Sequence, residues 1–153
     1  MTSSTLPDAQ ALAAAAGRAM YADDHASRAL GIVLEEIRPG YARMRMTVRQ
    51  DMVNSHDLCH GGIIFTLADS TFAFACNSHN QVTVAQGAAI EFLAPGRLGD
   101  VLTAVGEERH LRGRSGVYDI AVTNQDGQRI ALFRGRSFRL EGQIVAPDDE
   151  LPP

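Results

Sequence analysis

The sequence predicts an α+β domain in which a long antiparallel sheet wraps one hydrophobic helix. Two observations carry that prediction. The stretch 59–76, CHGGIIFTLADSTFAFAC, has good helix formers and aromatics with apolar residues on nearly every face, as in a helix surrounded by protein. Four strand-like stretches follow, at 82–93, 99–109, 115–124 and 129–140, and no helix-length pattern separates them. Strands joined that closely pair antiparallel.

The elements follow in chain order. Residues 8–21 read as an N-terminal helix that ADDH ends or restarts, and 31–37 as a short strand before the turn RPGY. In YARMRMTV, Ala42, Met44, Met46 and Val48 fall on one face and Tyr41, Arg43, Arg45 and Thr47 on the other, a strand with one wet side. RQDMVNSHDLCHGG is a polar loop long enough to be functional. The central helix runs over 63–76 and ends at NSHNQ. Turns at APGRLG, HLRGR and NQDGQ separate the later strands, and Asp-Gly in the last is a hairpin signal. The division expected is an N-terminal helical extension over 1–30, the sheet-and-helix domain over 31–141 and a flexible acidic tail over 142–153.

Length and composition narrow the class. A chain of 153 residues, 45% apolar and 21% charged, suits one globular domain. No apolar run approaches the roughly 20 residues of a membrane-spanning helix. AQALAAAA at 9–16 follows Asp8 and lacks a basic lead, so a helix and a cytoplasmic location are expected rather than a secretory leader. The net charge of −4 argues against nucleic acid as a partner. All 14 basic residues are arginine; eight of them lie between Arg97 and Arg139 among five acids. Arginine suits phosphate recognition through its planar fork, although genome composition accounts for the bias as well.

NSHDLCHGGIIFTLADSTFAFACNS resembles the PaaI-type branch of the hotdog-fold acyl-CoA thioesterases, those associated with phenylacetate degradation. The likeness rests on Asn54, His56, CHGG at 59–62, LAD at 67–69 and ACNS at 75–78. It continues through IEFLAPGRLGD, SGVYDIAVTNQ and ALFRGRSFRL, about residues 40–140 in all. The resemblance implies hydrolysis of an acyl-CoA thioester, with phenylacetyl or hydroxyphenylacetyl as the acyl group. It also implies a homodimer, often paired into a tetramer, and no cofactor beyond the coenzyme of the substrate.

The residues themselves fit that chemistry. A helix N-terminus offers free N–H groups, and glycine lets a substrate approach them. The resemblance gives the carbonyl to the N–H of Gly61, with Gly62 beside it; the plainer reading is a tight entry into the helix. Asp69, a carboxylate on an apolar helix, is a candidate nucleophile or general base with a raised pKa. Asn54 would orient the water or Asp69, or simply make a turn. His60 would fix the loop through its imidazole. Arg109, Arg112 and Arg114, with Arg97 and Arg136, are candidates for the coenzyme phosphates, each equally explained as a solvated rim. Phe65, Phe72 and Val84 are candidate walls of the acyl pocket, though each taken singly reads as core. His56, Asp57, Cys59 and His60 include metal-ligand types, but no second cluster completes a set, and no metal is expected.

Gly61 and Asp69 are eight residues apart, a rise of about 12 Å along a helix. One carbonyl cannot touch both. If both act on one substrate they come from two chains whose helices run antiparallel across a two-fold axis. Two alternatives remain open: a hotdog dehydratase or hydratase using His60 with Asp69, and a non-catalytic acyl-CoA-binding module.

Overall fold

The computed structural model describes residues 8–146. The expected N-terminal extension and acidic tail therefore fall partly outside the described residues, at 1–7 and 147–153.

Helix α1 (Ala9–Asp23) is alanine-rich and capped by the carboxylate of Asp8, which accepts from the N–H of Ala11. The chain restarts at once: Asp24 ends α1 and caps α2 (His25–Ala29) by accepting from the N–H of Ser27. The inner face of α1 is Ala13, Ala16 and Gly17, and Gly17 lets Ile37 and Leu34 pack against its backbone. Tyr21 closes the hairpin by donating to the carbonyl of Ile32.

The sheet consists of β1 (Val33–Arg38), β2 (Tyr41–Thr47), β3 (Thr83–Phe92), β4 (Val101–Arg112), β5 (Ser115–Thr123) and β6 (Arg129–Arg139). Its order is β1-β2-β4-β5-β6-β3, antiparallel throughout. The alternation in β2 is as expected, with Ala42, Met44 and Met46 inward and Arg43 and Arg45 paired with Glu35 and Glu36 outside. The β5–β6 turn uses Gly127 at φ +75°, and Asn124 accepts from the N–H groups of Asp126 and Gln128.

Most element ends move by one or two residues from the sequence expectation, and one moves by three. Strand β4 continues past 109 to Arg112, because a bulge between Glu108 and His110 resets the alternation and hides the last residues from a period-2 pattern.

Helix α3 (Gly61–Asn77) lies in the curve of the sheet. Leu67, Ala68, Phe72, Phe74 and Ala75 are buried with Met44, Leu102, Tyr118, Ile120, Val122 and Phe133. Gly135 on β6 makes room for the ring of Phe72, which lies where a Cβ would stand. The wrapping is incomplete. Gly62, Phe65, Thr66, Asp69 and Ala73 keep partial exposure and form one helical stripe that this chain's sheet leaves open. Strand β3 is an edge, and Val84, Ala85, Ala88 and Ala89 stand exposed along it.

The first residues of the tail are tied down. Leu140 donates to the carbonyl of Val82, Val82 to that of Gly142, and the side chain of Asn80 exchanges two hydrogen bonds with the backbone of Val145. No helix among the described residues is long and apolar enough to cross a membrane.

Candidate active site

The loop before α3 is held by its backbone. Cys59 donates to Gly96 (2.7 Å), His60 to Met52 (2.9 Å) and Leu98 to Asp57 (3.1 Å). The side-chain oxygen of Asn54 accepts from the N–H groups of His56 (2.9 Å) and Leu58 (3.2 Å). Asn54 thus forms a turn, while its amide nitrogen makes no hydrogen bond among the described residues. His60 occupies the N-cap of α3 without using its side chain; its carbonyl accepts from Ile63 and Ile64. Among the described residues the exposed His60 ring makes no hydrogen bond, and main-chain hydrogen bonds hold the loop.

The N–H groups of Gly61 and Gly62 have no acceptor among the described residues, as in the first turn of a helix that no side chain caps. They form a pair of donors at the positive end of the helix dipole. A Cβ on Gly62 would meet nothing within 4 Å, whereas one on Gly61 would stand 3.0 Å from the ring tip of Phe92. A groove of about 390 Å³ runs past this turn, lined by Asn54, Leu58, Cys59, Gly61, Ile64 and Phe92 with the segment after it.

Asp69 lies two turns further along, outside that groove, on the open stripe of α3. It is half-buried, has no hydrogen bond or ion pair among the described residues, and burial raises its carboxyl above the usual range. The structure thus brings Asn54 and Gly61 together and leaves Asp69 apart from both.

The other candidates scatter. Phe72 is 1% exposed, packed between Tyr118 and Phe133, so it is core and no wall of the groove. Phe65 sits edge-on to Phe133 on the open side of α3, and Val84 stands exposed on the edge strand β3. Arg109 is committed to Glu107 and Asp119 on the outer face of the sheet. A larger groove of about 520 Å³ is lined by these groups with Arg134 and Leu132, and includes neither Gly61 nor Asp69. Arg114 is 3.9 Å from Glu141. Arg97, Arg112 and Arg136 form no ion pair among the described residues. Arg97 is bridged to Leu58 at the rim of the groove, whereas Arg112 and Arg114 sit in the β4–β5 turn at the other end of the sheet. His56, Asp57, Cys59 and His60 do not converge on a metal position, and no group of three such residues does among the described residues.

Two features went unread in the sequence. Phe92, last residue of β3, covers Gly61; the one aromatic in IEFLAPG was its only trace. At the far end of α3, Glu108 accepts from Tyr118 (2.7 Å) and bonds His79 (2.7 Å). Burial raises the Glu108 carboxyl, but the hydrogen bonds from Tyr118 and His79 outweigh it and leave the group below its ordinary value. Glu108 falls on the inward face with Leu102, Ala104 and Gly106, but its partners His79 and Tyr118 come from other elements and leave no local trace.

The family model of the thioesterase superfamily matches residues 56–131, from the loop before α3 into β6. The acyl-coenzyme A thioesterase PaaI of Escherichia coli is 48% identical over 127 residues, 83% of this chain and 91% of that protein. The solved structure of the E. coli PaaI protein, from the phenylacetic acid degradation operon, superposes with a TM-score of 0.87 at 44% identity, covering 89% of this chain and 99% of that one. A hypothetical thioesterase protein of Streptococcus pneumoniae solved with coenzyme A superposes with a TM-score of 0.70 at 30% identity, over 73% of this chain and 87% of its own. With a six-stranded antiparallel sheet curved round α3 and relatives this similar over most of its length, the chain belongs to the hotdog-fold thioesterase superfamily.

Proposed function

We propose that this protein hydrolyses acyl-coenzyme A thioesters, with an aryl-acetyl group such as phenylacetyl or hydroxyphenylacetyl as the acyl part. The observation that carries the reading is the pairing on one helix of two free N–H donors, at Gly61 and Gly62, with an unpartnered half-buried carboxylate at Asp69. Structural economy alone would not leave an acid there. Water attacks the thioester carbon, the C–S bond breaks, and the free acid and coenzyme A thiol leave. The N–H of Gly61 polarises the carbonyl and holds the charge that develops on its oxygen. Asp69 either takes the proton of the attacking water or attacks the carbonyl itself, giving an anhydride that water then opens. Single-turnover hydrolysis in heavy-oxygen water separates the two, since label enters the Asp69 carboxylate only when it is the nucleophile.

Each site is shared between two copies of the chain. The separation of Gly61 from Asp69 requires it, and the open stripe of α3 beside the unpaired, apolar edge of β3 supports it. The dimer pairs further into a tetramer, as the resemblance implies. The free amide nitrogen of Asn54 orients the water or the partner's carboxylate. Arg97, Arg112, Arg114 and Arg136 are the phosphate candidates with no strong acid partner; Arg109 is the weakest. No cofactor is required beyond the coenzyme in the substrate. Both cysteines are unpaired and buried, in keeping with the reducing cytoplasm.

The test is a screen of aryl and aliphatic coenzyme A esters by free-thiol release, with Asp69→Ala alongside. The expected loss in kcat is about 10²–10⁴-fold. An Asp69→Ala protein as active as the parent would overturn the catalytic assignment and favour a binding module.

A further inference from the structure

We propose that Phe92 is the residue that selects the acyl group, presenting its ring beside the carbonyl position at Gly61 so that aromatic acyl thioesters bind in preference to linear ones. The proposal rests on the acyl-CoA hydrolase reading and deepens it. Phe92 ends the edge strand β3, yet its side chain does not turn into the core. The far edge of its ring reaches Gly61, with the ring tip 3.0 Å from where a Cβ would stand, a contact that would press the ring aside. Glycine at 61 lets the ring lie close against this turn as well as admitting a substrate. The ring is still 53% exposed, so its faces remain available to a ligand although its tip is covered.

The groove beside it has an apolar wall of Leu58, Ile64, Leu93 and Pro95, with the Cys59 thiol turned to the carbonyl of His60. Its polar side is Asn54, whose oxygen is engaged by two backbone N–H groups and whose amide nitrogen is left as a donor. Phe92 stands on the apolar wall, next to the turn that carries the free N–H groups. The groove meets the helix at the same free N–H pair that would hold the carbonyl, so an acyl group attached to that carbonyl lies against Phe92. An aryl ring gains offset or edge-to-face contact with it beyond simple burial, and a linear chain does not.

The experiment compares phenylacetyl-CoA with hexanoyl-CoA on the parent protein, Phe92→Leu and Phe92→Ala, with kcat and KM measured separately. Circular dichroism and light scattering check that each variant keeps its fold and assembly. Phe92→Leu keeps an apolar side chain and carries the test should Phe92→Ala fail to fold. The expected result is a fall of roughly threefold to tenfold in the kcat/KM ratio of the aryl over the linear ester, expressed in KM. A ratio unchanged within about twofold in both variants, or a change confined to kcat, overturns the proposal. A parent protein that hydrolyses neither ester refutes the hydrolase reading instead. Titration of Asp69→Asn with both esters, with and without Phe92→Leu, then still decides whether the ring discriminates.

Discussion

Asp69 is a carboxylate that the fold has not provided for. Its pKa is raised by burial alone, so its ionised form is less stable in the folded protein than in the unfolded chain. A raised folded-state pKa gives a contribution that is whole below the unfolded value, about 3.9, and is lost as the pH rises through the folded value. Asp69→Asn removes a group that costs stability at neutral pH. Thermal denaturation should therefore show the Asn protein more stable than the parent at pH 7, the gap closing as the pH falls toward about 4. A less stable Asn protein would mean that a donor or cation from a second copy already neutralises the acid. The same raised pKa places the acid limb of the kcat/KM profile above the ordinary carboxylate range. Glu108 has the opposite sign: its carboxyl is held low, so its contribution is present above the unfolded pKa and is lost as the pH falls through the folded one. Denaturation of Glu108→Gln should show its largest deficit at neutral pH and little at about pH 3.

At the scale of elements, what could be read in advance was periodic and what could not was singular. The alternation of β2, the Asp-Gly hairpin and the all-round apolar pattern of α3 each follow from one repeating rule, and each is where it was expected. Gly61 and Asp69 were legible because an acid or a glycine pair violates such a rule. Phe92 and Glu108 were not, because each takes its meaning from neighbours distant in sequence, Gly61 for the one and His79 with Tyr118 for the other. Phe72 was read as a possible wall because sequence cannot tell which side of a buried helix faces the sheet. The glycine that receives it gives a direct test. A Cβ at 135 would stand 2.7–2.8 Å from three ring atoms of Phe72, and the ring is enclosed by Tyr118 and Phe133. Gly135→Ala should cost about 1–3 kcal/mol by overpacking. Gly62→Ala, on the exposed first turn of α3, has open space and should be neutral or mildly stabilising. Chemical denaturation of the two variants side by side measures both effects.

For the whole molecule, the decisive property is that its candidate site does not close within one chain. Gly61 and Asp69 share a helix and are about 12 Å apart along it, so no local rearrangement brings them to one carbonyl without unwinding α3. Two copies solve this if the helices run antiparallel, and the exposed edge of β3 gives those copies a strand to share. The consequence can be measured by mixing subunits. Asp69→Ala and Gly61→Val should each be inactive as pure proteins. In a hybrid dimer, intact Gly61 from the first chain meets intact Asp69 from the second at one site, while the other site carries both lesions. Equal mixing with free exchange makes half the dimers hybrid, so co-refolding should restore roughly a quarter of the parental activity. A site contained within one chain would restore none. Dilution adds an independent check: activity per chain should fall with concentration once dimers dissociate, in step with the loss of dimer seen by light scattering, whereas a self-sufficient chain would keep its specific activity at every dilution.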